Sequence, residues 1–85
     1  MNFTVVWKPT AESKLAKIWA EASDRRAVTN AADAIDLLLG ASPNEVGESR
    51  EQNTRILNVS PLSVYYDVYE EDCLVSVWAV WQHKR

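Results

Sequence analysis

The sequence is short of several things at once. It holds one cysteine, one histidine, one methionine, one phenylalanine and two glycines. A lone Cys73 excludes an internal disulfide and fits a reducing compartment. One histidine and one cysteine cannot close a zinc site without unusual carboxylate help, so neither a metal nor a cofactor is expected. Positive charge is also scarce. Nine Lys and Arg against 12 Asp and Glu leave a net charge of −3 and a pI near 5.0. That argues against binding nucleic acid by bulk charge, while a small basic site on an acidic surface stays open. No apolar run reaches the ~20 residues of a bilayer span. The first stretch, "MNFTVVWKPT", lacks the basic and apolar regions of a signal peptide. These absences predict a soluble, cytoplasmic protein with no membrane contact.

What is present points to a folded chain. Hydrophobic residues make up 47%, and four are tryptophans, so disorder is not expected. Residues 1–85 have room for one domain and one core. A core this small leaves a thin margin of stability, to which a partner can contribute.

The periodicity divides the chain in two. "FTVVW" (Phe3–Trp7) reads as a strand stopped by Pro9. Thr10 then offers a helix cap, with Glu12 in the first turn. Ala11, Leu15, Ile18, Trp19 and Ala22 form one helical stripe, and Val28, Ala31, Ile35, Leu38 and Leu39 form another. Ser23 and Asp24 separate them, and Gly40 suits the position after the second helix. "ASPNEVGES" (Ala41–Ser49) is rich in turn formers and reads as a loop. Beyond it the period becomes two. "TRILNV" (Thr54–Val59), "LSVYYDVY" (Leu62–Tyr69) and "CLVSVWAVW" (Cys73–Trp81) are strands, with turns at Ser60–Pro61 and Glu70–Asp72. In the middle strand Leu62, Val64, Tyr66 and Val68 share one face, and Ser63, Tyr65, Asp67 and Tyr69 the other. The last strand is apolar on both faces and reads as central, with Trp78 on the Tyr65 and Tyr69 face and Trp81 on the opposite one. The order is β-α-α-β-β-β. It predicts an α+β fold in which a helical hairpin covers one face of a mainly antiparallel four-stranded sheet.

Four pieces, "VVWKPTAESKLAKIW", "LLLGASPNEVGESR", "TRILNVSPLSVYYDV" and "DCLVSVWAVWQHKR", resemble in order and spacing the RelE/ParE superfamily of toxins from bacterial type II toxin–antitoxin systems. The resemblance spans almost the whole chain. It implies a toxin neutralised by a cognate antitoxin protein, and it leaves two branches. RelE-like members enter the ribosome and cleave mRNA as metal-independent endoribonucleases. ParE-like members share the fold, lack most of that catalytic set and inhibit DNA gyrase. A relative that has lost toxicity and acts as a binding module is a third reading.

The nuclease branch uses the RNA 2′-hydroxyl as nucleophile. It needs a proton-transfer group and cations around the developing phosphorane. By resemblance, the catalytic candidates are His83, just past the last strand, Arg55 on the first strand of the meander, and Arg50 in "GESR". Histidine suits proton transfer near neutral pH, and arginine binds two phosphate oxygens at once. Lys84, Arg85, Tyr65 and Tyr69 are the RNA-binding candidates, the tyrosines by stacking on bases. Glu48 is a further carboxylate beside Arg50. Each has a plainer reading. His83, Lys84 and Arg85 would be a solvated tail, Arg55 an exposed cation paired with Glu51 or Asp67, and Arg50 a residue that holds its loop. The sequence also departs from the nucleases. Leu62 and Leu57 stand where they carry an arginine and a second lysine. The mRNA-cleaving reading therefore comes with an incomplete catalytic set, and gyrase inhibition is its alternative.

Overall fold

A computed structural model describes residues 2–83 of the protein. Strand β1 is Thr4–Trp7, and helices α1 and α2 are Pro9–Glu21 and Arg25–Ala41. Strands β2, β3, β4 and β5 are Glu48–Glu51, Thr54–Val59, Leu62–Tyr69 and Leu74–Gln82. They form one five-stranded sheet in the order β1-β5-β4-β3-β2. Only β1 and β5 pair in parallel; the other neighbours are antiparallel.

The strand count is one more than the four expected. The added strand, β2, lies at the edge and is exposed at all four positions. Its residues, "ESRE", carry no apolar alternation, so only pairing with β3 reveals it. Gly47 makes that pairing possible. Its φ is +70°, and a Cβ there would sit 2.3 Å from the Ile56 carbonyl oxygen, so only glycine fits.

The helix ends also differ in detail. Helix α1 starts at Pro9, which is pre-shaped for the first helical position, and Lys8 rather than Thr10 precedes it. Asp24 caps α2 by accepting from the Ala27 amide at 3.0 Å. Gly40 falls inside α2, which ends one residue later. Arg25 caps the end of α1 from the next helix: its Nη2 donates to the Ala20 carbonyl at 3.0 Å, and its guanidinium lies 4.8 Å from the Trp19 ring centre.

Both helices lie on one face of the sheet. Helix α1 packs on β5, and α2 crosses β1, β3 and β4. The core between them joins Ile18, Val28, Ile35 and Leu39 to Leu62, Val64, Tyr66, Val75 and Val77. Each such Val, Leu or Ile contributes about 1.5–3 kcal/mol on burial. Trp7 packs on this core and donates from Nε1 to Asp36 at 2.7 Å, pinning β1 to α2. Trp19 and Leu38, both in the helical stripes, emerge exposed.

Candidate functional site

The opposite face of the sheet has no helix over it. Strand alternation puts Thr54, Ile56 and Asn58 of β3 there, with Ser63, Tyr65, Asp67 and Tyr69 of β4. In β5 the pairing slips by one residue. Tyr65 stands opposite Ala79 and Tyr66 opposite Val77, which leaves Trp78 as the extra residue of a β-bulge. A bulge resets the alternation beyond it. Val80 therefore turns into the core, and Trp81 joins Trp78 on the open face. This corrects the expectation that the two tryptophans face opposite ways. Strict alternation holds only for an unbroken ladder.

The result is an aromatic platform. Tyr65 stacks on Trp78 with ring centres 5.1 Å apart and planes 11° from parallel. Trp81 leans on Tyr65 from the other side at 5.0 Å. Tyr65 is half-buried between them, whereas Tyr69 and Trp78 are exposed. Asp67 borders the platform. Its Oδ1 accepts from Thr54 Oγ1 at 2.6 Å and from Trp78 Nε1 at 3.2 Å, while Oδ2 has the Tyr69 hydroxyl at 3.5 Å. Asp67 is the only charged side chain that β3, β4 and β5 present on this face among the described residues.

The catalytic candidates are not gathered here. Arg55 pairs in register with Tyr66, so its side chain leaves on the helix-bearing side. There it donates to the Val46 carbonyl from Nε and Nη2 at 3.3 and 3.2 Å, and to the Gly47 carbonyl at 3.3 Å. Tyr66 serves the same loop. Its hydroxyl lies 2.8 Å from the Pro43 carbonyl and 2.9 Å from that of Val46. Burial pushes the Tyr66 phenol above its ordinary value of 10.0, with Arg55 pulling the other way. Together the two side chains fasten residues 43–47 to the sheet.

Arg50 is on edge strand β2, exposed, with Nη1 3.4 Å from Glu48 Oε1. His83 follows β5 at the opposite end of β4. Its amide donates to the Pro61 carbonyl at 3.0 Å, and Nε2 lies 3.1 Å from the Leu62 carbonyl oxygen. Leu62 and Tyr66 are four residues apart along β4, about 13 Å, so His83 and Arg55 sit at separated places along the sheet. Leu57 and Leu62 are buried in the core. Lys84 and Arg85 lie outside the described residues. No group of three or more His, Cys, Asp or Glu able to hold a metal occurs among the described residues. No described helix is long and apolar enough to cross a membrane.

On the helix side an apolar groove runs between α1 and α2. It encloses about 400 Å³ and is lined by Leu15, Ala16, Trp19, Val28 and Ala32, with Glu12, Thr29 and Asp33 also on its walls.

A sequence model described as the ParE toxin of the type II toxin–antitoxin system, parDE, matches residues 5–85. The chain belongs to this toxin family. It is thus the toxin component of a toxin–antitoxin pair. Solved structures agree on the fold. The toxin–antitoxin complex RelBE2 from Mycobacterium tuberculosis aligns with a TM-score of 0.81 at 19% identity, over 98% of this chain and 93% of that one. The chromosomal ParDE system from P. aeruginosa gives 0.75 at 15%, over 96% and 97%. The isolated E. coli RelE toxin gives 0.70 at 15%, over 98% and 86%. No functionally curated protein matches. The toxin therefore shares its fold with both branches of the superfamily.

Sequence reasoning missed three parts of this site: β2, the bulge at Trp78 and the role of Asp67. Only Asp67 left a signal. It is the one charged residue in the eight of β4.

Proposed function

We propose that this toxin acts without cleaving RNA and inhibits DNA gyrase, as ParE-like members do. One observation carries the reading: Arg55, Arg50 and His83 do not converge. A phosphorane is stabilised by cations aimed at one point. Here Arg55 is committed to loop carbonyls on the far side of the sheet, and Arg50 is paired with Glu48. The buried Leu57 and Leu62 and the acidic balance support the same conclusion. Neither a metal nor a cofactor enters it, and the place of action is the cytoplasm.

The proposed regulator is an antitoxin whose apolar helical segment lies in the groove between α1 and α2. Helices bind such grooves through anchors spaced at i, i+3/i+4 and i+7. Exposed Trp19 supplies the aromatic wall, and Glu12 and Asp33 favour basic residues flanking the segment. RelBE2 of M. tuberculosis was solved as a toxin–antitoxin complex, which supports a partner of this kind.

The test is direct. Purified toxin is added to gyrase with relaxed plasmid and ATP, and separately to ribosomes programmed with a defined mRNA. Inhibited supercoiling with intact mRNA supports the proposal. Cleavage at the A-site codon that disappears in His83→Ala overturns it and restores the mRNA endonuclease with His83 as its proton-transfer group. Normal growth on expression of the toxin alone, with neither activity, leaves the non-toxic binding module.

A further inference from the structure

We infer that the open face of the sheet takes an arginine or lysine side chain of the toxin's protein target, with Trp78, backed by Tyr65, as the floor and Asp67 as the counter-charge. The inference rests on the reading of that target as a protein. Aromatic faces are negative, so an exposed ring face attracts cations. The Tyr65–Trp78 stack is near-parallel and presents Trp78 to solvent. Asp67 is held in place by Thr54 and Trp78 through Oδ1 alone. Its Oδ2, with one long contact of 3.5 Å, keeps accepting capacity for an incoming N–H.

The surroundings have the matching charge. Asp67 and Glu51 line a hollow of about 350 Å³ with Thr54, Gln52 and Asn53, and no cation lines it. A guanidinium at Asp67 bonds its carboxylate with a flat fork at the edge of this hollow and lies beside Trp78, whose Nε1 reaches the same carboxylate. A phosphate meets the opposite situation. Among the described residues β3, β4 and β5 bring no cation to this face, and Arg50 on β2 is already paired. Nucleic acid is thus disfavoured by the same charges that favour a basic protein segment. The proposed antitoxin groove is on the other side of the molecule, which leaves this face for the target.

Two experiments test the inference. In the first, N-acetyl-arginine amide is titrated into 15N-labelled toxin, with N-acetyl-citrulline amide and a five-nucleotide single-stranded RNA as comparisons. The expected result is a saturable shift of the Trp78 indole N–H with the arginine probe and little with the other two. Asp67→Asn, which keeps an oxygen for Thr54 and Trp78, should weaken the response about fivefold. An unmoved Trp78 signal, an equal citrulline response or a larger RNA response overturns the inference. So does a Trp78 shift that depends on toxin concentration alone, which would assign the face to a second copy.

The second experiment compares Asp67→Asn and Trp78→Ala with the parent toxin in supercoiling inhibition and antitoxin binding. Inhibition about tenfold weaker, with antitoxin affinity and melting temperature retained by Asp67→Asn, supports a target contact. Undiminished inhibition, or loss confined to the antitoxin, overturns it while leaving the proposed function standing. If the parent toxin does not inhibit gyrase yet Trp78 answers arginine alone, the gyrase reading fails and the cation site remains.

Discussion

Replacing Tyr66 by phenylalanine tests how the loop before β2 is held. Tyr66 is wholly buried, and its hydroxyl lies within hydrogen-bond range of the Pro43 and Val46 carbonyls. Phenylalanine keeps the ring and its packing. Only the donor is lost, so the change isolates the polar part. The Val46 oxygen still receives Arg55. The Pro43 oxygen is left without the hydroxyl, in a residue that is itself fully buried. An orphaned buried acceptor costs about 1–3 kcal/mol. Since 1 kcal/mol moves the midpoint of a domain this size by about 4–8 °C, the expected loss is roughly 10 °C. Thermal unfolding followed by circular dichroism at pH 7 measures it. A shift below about 3 °C would refute the reasoning, because the hydroxyl would then not be serving these carbonyls.

The same substitution has a pH signature. Folding raises the Tyr66 phenol above 10.0. Below pH 10 both states keep the proton, and the contribution is intact. As pH climbs from 10 through the raised folded value, the unfolded state releases its proton first, and stability falls. Tyr66→Phe should remove that part of the alkaline decline. A second arm uses Arg55→Met. Either single change leaves Val46 a donor, whereas the double change removes both. The double mutant should therefore lose more than the sum, by about 0.5 kcal/mol or more.

Other outcomes follow from single features. Gly47→Ala should cost about 2 kcal/mol or more, since it adds a Cβ against the Ile56 carbonyl at positive φ; urea unfolding checks this. Asp24→Ala removes the cap on α2 and should cost about 1 kcal/mol in the same assay. Trp19→Ala should weaken antitoxin binding tenfold or more, about the effect of losing an aromatic anchor, when titration calorimetry is run on the purified pair. His83→Ala should leave supercoiling inhibition unchanged, because the gyrase reading assigns that side chain no role.

The helices and four of the five strands could be read directly from local periods, whereas the order of the strands in the sheet could not. Leu62, Val64, Tyr66 and Val68 alternate and are all buried. The inward stripe of α2 is likewise Val28, Ala31, Ile35 and Leu39. Where local pattern and burial part company, the reading failed. Strand β2 has four exposed residues and no period, and Trp19 follows the helical stripe yet is exposed, its ring against Arg25 and its Nε1 donating to Thr29.

By itself the sequence determined the fold class and the toxin family, since hydrophobic periodicity and motif order are properties of the chain. Which cations converge is a property of strand register. One extra residue at Trp78 turns Trp81 over to the open face, and the Arg55–Tyr66 pairing sends Arg55 away from it. A register shift of one residue exchanges the two faces of a strand and leaves composition untouched. The alternation of β4 and β5 already grouped Tyr65, Asp67 and Trp78, but tertiary structure alone decided that Trp81 joins them and that Arg55 does not.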